Sequence, residues 1–278
     1  MEVQVEPGGL PDRGTVVVPV RHDGQLSAAA ARLDEASGGL VRRALGATGG
    51  ELKHGQVVDL FLPAGLGLDR LLILVLGKRE GDLTALDIER AGGGLAQKLR
   101  GLKMREAHLA SPEGLELGLS PAEAMNCLAL GAQLRAYRFA KYRGSESEDD
   151  ERPPERLWLV LPDAEAALAR TSALATAVYK TRDLVSEPAN ILTPKAFADA
   201  CAALAEHGIE VEIFDREALA ALGMNALLAV ARGSAQPPYV AVMRWQGGGD
   251  EPPLALVGKG ICFDTGGISI KPAQGMED

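Results

Sequence analysis

Residues 71–77, LLILVLG, form an unbroken apolar run of strand length. A strand that is wet on one face alternates apolar with polar residues, whereas one that is apolar at every position has to be covered on both faces. Residues 15–20, TVVVPV, have the same character, and residues 57–62 and 105–110 read as further strands. Between them lie stretches of helical character: 27–45, rich in Ala and Leu, and 86–99, weakened by Gly92, Gly93 and Gly94 at its centre. Strands alternating with helices imply α/β layers. Few aromatic residues (4%) and 33 glycines suit close packing of helices on a sheet.

Ser120, Pro121 and Glu123 make a helix-start pattern in which serine and glutamate each satisfy a backbone N–H of the other. Met125, Leu128, Ala132, Ala136 and Phe139 follow at helical spacing, which predicts a helix running to about residues 142–144. Residues 144–154, GSESEDDERPP, are acidic and end in two prolines, so they cannot bury apolar surface and read as a linker. This divides the chain into domains at 1–155 and 156–278, although the strand-like LWLVL at 157–161 is also suited to pairing with the first sheet.

Beyond the linker, Asp163 is placed to cap a long helix joining the domains, with Ala167, Leu168, Thr171, Leu174, Ala175, Val178, Leu184 and Val185 on its apolar stripe. Thr193 and Pro194 start another helix, which Gly208 stops. Residues 209–214, 239–245 and 254–257 read as strands and 216–222 as a short helix, so the second domain is α/β as well.

The 278 residues carry a net charge of −9, which repels phosphate backbones and makes nucleic acid an improbable partner. No apolar run approaches the roughly 18 residues needed to cross a bilayer, and the first ten residues lack the apolar core of a secretory leader. Cys127, Cys201 and Cys262 are few and far apart, as in a reducing compartment, so a cytoplasmic protein is expected. His22, His54, His108 and His207 show no paired metal-ligand spacing.

The stretch that can carry chemistry is 256–278, LVGKGICFDTGGISIKPAQGMED. Lys259 follows the end of an expected strand, Asp264 precedes Thr265-Gly266-Gly267, and Lys271 lies seven residues further on. Glycines let the backbone approach a ligand, and ligands of open α/β sheets gather at the carboxyl ends of strands. The plain alternative is an Asp-Gly turn flanked by solvated lysines.

Val257-Gly258-Lys259-Gly260, Phe263-Asp264, the run from Gly266 to Pro272 and Gly275-Met276 together resemble the signature of the leucyl aminopeptidase family, also called the cytosol aminopeptidases. Arg182-Asp183-Leu184-Val185, Glu187-Pro188-Ala189-Asn190 and Gly233-Ser234 fit as well. The resemblance implies a small, macro-domain-like N-terminal α/β domain followed by the first part of an α/β/α metallo-exopeptidase domain. It implies two divalent ions, Mn²⁺ or Zn²⁺, with Lys259 and Asp264 as ligands. A lysine is an unusual ligand, since only its neutral amine has a lone pair to give. Lys271 corresponds to the family's catalytic lysine, which polarises the scissile carbonyl. Peptides with a free N-terminus, leucine-type preference, a cytoplasmic setting and a homohexamer are the further implications.

The family pattern continues with another aspartate ligand and an Asn-Thr-Asp-Ala-Glu-Gly-Arg segment that this sequence does not contain, so an incomplete site and exposed apolar surface are expected. Glu277 and Asp278 are not assigned as ligands. Three other readings compete. Phe263-Asp264-Thr265-Gly266 is similar to the signature of aspartic proteases, which need two such aspartates. Gly258-Lys259-Gly260 offers phosphate binding but lacks the full P-loop frame. The third is an inactive chain that serves only for binding or assembly.

Overall fold

The computed structural model describes residues 1–77, 83–143, 154–161 and 165–274, with the side chains of 165–167 left aside. They divide into two compact units, Met1–Thr181 and Arg182–Asp278.

The first unit is built on a six-stranded sheet. In chain order its strands are β1 (Glu2–Val5), β2 (Thr15–Arg21), β3 (Val57–Phe61), β4 (Arg70–Leu76), β5 (Glu106–Ala110) and β6 (Arg156–Val160). They lie in the order β1-β6-β5-β2-β4-β3, all parallel except β3, which runs antiparallel to β4. The apolar runs occupy the centre, as two-sided burial requires. Val17, Leu72, Leu74 and Leu109 face the helices α3 (Ala85–Gly101) and α4 (Pro121–Ala136), while Val16, Val18, Leu71 and Ile73 face α1 (Ala28–Ala36) and α2 (Leu40–Ala47).

β6 pairs in register with both β1 and β5, so the strand after the linker completes the first sheet. The units accordingly divide within α5 (Glu165–Ser186), whereas composition had suggested 155/156. Residues 144–153 of the expected linker and the proposed cap Asp163 lie outside the described residues. Of the stripe expected on α5, Leu168, Thr171 and Ala175 are buried, but Leu174 and Val185 are exposed.

Other differences have local causes. The helix expected over 27–45 is two helices, because Gly38 and Gly39 take positive φ (65° and 86°) between them. The buried Asp34 carboxylate then accepts from the Arg42 backbone N–H (3.0 Å) and its Nε (3.1 Å), fixing the corner. α4 ends at Ala136, short of residues 142–144, because the chain turns extended at Tyr137, whose ring packs 5.1 Å from that of Tyr179. The three central glycines do not break α3, and Gly92 among them is where α4 comes closest, with a Cβ there only 2.1 Å from the Leu128 carbonyl oxygen.

The capping box at Ser120 forms as expected. Glu123 N–H donates to Ser120 Oγ (3.3 Å), and Ser120 Oγ and N donate to Glu123 Oε2 (2.7 and 2.9 Å). The serine hydroxyl and then its N–H hold the Glu123 carboxyl below the usual glutamate range. Ser120→Ala is expected to cost about 1 kcal/mol. A depressed carboxylate stabilises the fold above its ordinary pKa and loses that contribution as pH falls through the folded value. Urea midpoints of wild type and Ser120→Ala should therefore differ more at pH 7 than at pH 3.

The second unit holds α6 (Pro194–Ala202), a 3₁₀ turn (Ala203–His207), β7 (Glu210–Phe214), α7 (Arg216–Ala221), α8 (Asn225–Ala231) and β8 (Val240–Arg244). Thr193 caps α6 by accepting from Ala196 N–H, and Gly208 ends the following turn at φ 80°. β7 and β8 pair antiparallel, and Arg244 reaches Glu210 (3.1 Å) and Glu212 (3.4 Å) across them. Residues 254–257, expected as a strand, have no regular structure, and Leu254, Leu256 and Val257 are 85%, 87% and 98% exposed. No strand lies beside them to accept their backbone hydrogen bonds among the described residues. Among the described residues no helix is long and apolar enough to cross a membrane.

Candidate active-site loop

Residues 254–274 follow β8 as an irregular, largely exposed segment. Two features give it local form. Gly260 lies against the ring of Phe197 on α6, where a Cβ would come within 2.2 Å of Phe197 Cε1, so any larger residue would have to push the ring aside. The bare glycine beside Lys259 is the only signal of this contact in the sequence.

The second feature is the turn from Asp264 to Lys271. Gly266 and Gly267 take φ of 87° and 64°, a region that side chains disfavour, and a Cβ on Gly266 would lie 2.2 Å from the Ser269 carbonyl oxygen. The Lys271 backbone N–H donates to Thr265 O (2.8 Å), closing the turn. Asp264 and Lys271 are thereby brought face to face. Asp264 Oδ1 accepts from Gly266 N–H at 2.9 Å, and Lys271 Nζ donates to Oδ2 at 3.1 Å.

The Gly266 N–H, the Lys271 ammonium and, more weakly, the charge of Lys259 hold the Asp264 carboxyl below the usual aspartate range. At neutral pH it is an anion, and it becomes protonated only as pH falls through that depressed value. The two partners stay about half exposed (49% for Lys271 and 53% for Asp264), so the pair is a surface one. All three expected site residues thus share one loop: Asp264 and Lys271 in direct contact, Lys259 within electrostatic reach.

This donor set does not by itself fit two divalent ions. It offers one carboxylate, already partnered, beside two lysines. Among the described residues no group of three or more His, Cys, Asp or Glu stands together. Cys262 is half-buried, and its burial pushes the thiol up. His54 Nε2 lies 2.8 Å from the Asp87 carbonyl, and His108 stacks on Trp158 with centroids 5.9 Å apart. Both belong to the first unit. Among the described residues no helix follows Gly258-Lys259-Gly260 to complete a phosphate loop, and Asp264 sits in an irregular loop after an α/β region.

Comparison with known proteins places these residues in context. Residues 17–146 match the profile of the N-terminal domain of the cytosol aminopeptidase family, and residues 179–278 that of its catalytic domain. A "Probable cytosol aminopeptidase" of Agrobacterium fabrum is 41% identical over 269 residues, covering 95% of this chain and 53% of that protein. Another, from Dinoroseobacter shibae, is 42% identical over 264 residues, covering 95% and 51%. Among solved structures, the bottromycin maturation enzyme BotP in complex with Mn is similar at a TM-score of 0.66 and 28% identity, over 95% of this chain and 51% of that one. The chain spans about half the length of the curated relatives it matches. With both domain profiles matched in their natural order, and Lys259, Asp264 and Lys271 inside the second, the chain belongs to the cytosol aminopeptidase family.

Proposed function

We propose that the protein acts as a metal-dependent aminopeptidase that releases N-terminal residues, leucine-type in preference, from peptides with a free N-terminus. The observation that carries this is the Asp264–Lys271 pair at 3.1 Å, held by a glycine turn within the stretch matching the family's catalytic domain. Lys271 is the electrophile of this reading. An ammonium fixed before reaction, with a turn setting its direction, can stabilise negative charge developing on a scissile carbonyl oxygen. Lys259 and Asp264 are the ligands that this chain offers to divalent ions. The Mn complex of BotP supports Mn²⁺ as one such ion, and Zn²⁺ remains the other candidate. Assembly as a homo-oligomer, hexameric by resemblance, and a cytoplasmic setting belong to the same proposal.

The test is release of p-nitroaniline from leucine p-nitroanilide by the purified protein, with added Mn²⁺ and with EDTA. Turnover that Mn²⁺ stimulates and EDTA abolishes is expected. A second reading, a chain that only binds or assembles, draws on the lack of a three-donor group among the described residues and on the exposure of Leu254, Leu256 and Val257. No turnover at any Mn²⁺ concentration would select it.

A further inference from the structure

We propose that Lys271 is the built-in counter-ion of Asp264, so that its ammonium competes with any divalent cation for that carboxylate. The inference rests on the part of the functional reading that makes Asp264 a ligand, and it addresses why the donor set does not fit the ions the family implies. Both oxygens of Asp264 are engaged, Oδ1 by the Gly266 N–H (2.9 Å) and Oδ2 by Lys271 Nζ (3.1 Å). The engagement is built by the backbone. The turn closes through Lys271 N–H to Thr265 O (2.8 Å), and the position of a Gly266 Cβ lies 3.0 Å from Lys271 Cγ, so the turn packs along the lysine stem.

A cation approaching Asp264 meets a carboxylate already neutralised by one ammonium and lying within the field of a second, Lys259. Removing the charge of Lys271 deletes both the competing attraction and a repulsion on the incoming dication. Because the pair is half exposed, solvent screens it and the gain is moderate.

The experiment is a Mn²⁺ titration without substrate, followed by the electron paramagnetic resonance signal of free Mn²⁺ at pH 7.5. It uses the full chain, Lys271→Met, Lys271→Arg and the double variant Asp264→Asn with Lys271→Met. Lys271→Met is expected to bind Mn²⁺ about three- to tenfold tighter than wild type, the range left by a screened surface pair acting on a doubly charged ion. Lys271→Arg, which keeps the charge, should bind like wild type, and the double variant should lose the gain. Equal affinity in wild type and Lys271→Met overturns the proposal, as does a gain that survives in the double variant or no measurable binding in any form. The peptidase reading is judged separately by p-nitroaniline release, so either can fail without the other.

Discussion

Replacing Gly131 with alanine is expected to destabilise the first unit by about 2–4 kcal/mol, even though alanine is the better helix former. Gly131 lies within α4, and a Cβ there would sit 1.7 Å from the carbonyl oxygen of Glu89 on α3. The contact is reciprocal: a Cβ on Gly92 of α3 would lie 2.1 Å from the Leu128 carbonyl oxygen on α4. Both obstacles are backbone atoms, which cannot rotate away as a side chain can. The helices would have to separate, loosening Leu95, Leu99, Met125 and Leu128, all buried between them and the sheet. Gly46 in α2 is the contrasting position, with nothing within 4 Å of a Cβ. Gly46→Ala should be neutral or up to about 1 kcal/mol stabilising, since it restricts only the unfolded chain. For a unit of this size, a loss of 2–4 kcal/mol lowers the melting temperature by roughly 5–15 °C. Gly131→Ala melting with wild type would mean that α3 and α4 do not cross this closely.

The same glycines show what was legible in the sequence. Gly92, Gly93 and Gly94 weakened the helix reading because propensity counts each as a cost, but propensity carries no information about a neighbour that needs the space. The runs at 15–20 and 71–77 were readable as strands because burial on both faces leaves a one-dimensional pattern. β1 was not read, since a short edge strand such as Glu2–Val5 has only two apolar side chains to announce it. Residues 254–257 fail in the opposite sense. Their apolar pattern is that of a strand, but a strand also needs a partner, and none is present among the described residues. At the candidate site, the closeness of Lys259, Asp264 and Lys271 within one loop was legible from the sequence. That Asp264 would take Lys271 as its partner was not, because the contact depends on positive φ at Gly266 and Gly267.

Lys271→Ala is expected to lower kcat for leucine p-nitroanilide by about 10²–10³-fold in the presence of Mn²⁺, with KM changed far less. That is the usual loss when one preorganised donor to a developing oxyanion is removed. Lys271→Arg should recover only part of the rate. It restores the charge, but its planar fork cannot place one donor where the compact ammonium of Lys271 reaches. Loss of Mn²⁺ is the competing explanation for an inactive variant, and here the two effects have opposite signs. On the proposed reading, removing the Lys271 charge should tighten Mn²⁺ at Asp264 while it slows turnover, because the same substitution deletes the counter-ion of the carboxylate and the proposed electrophile. The turn is exposed and held mainly by its own backbone, so far-UV circular dichroism of the variant should match wild type. Steady-state kinetics and metal titration on the same preparation decide the matter. A kcat within threefold of wild type would remove Lys271 from the chemistry and leave it only its pairing with Asp264. A kcat lowered together with weakened Mn²⁺ binding would make the lysine a support for the metal rather than its competitor.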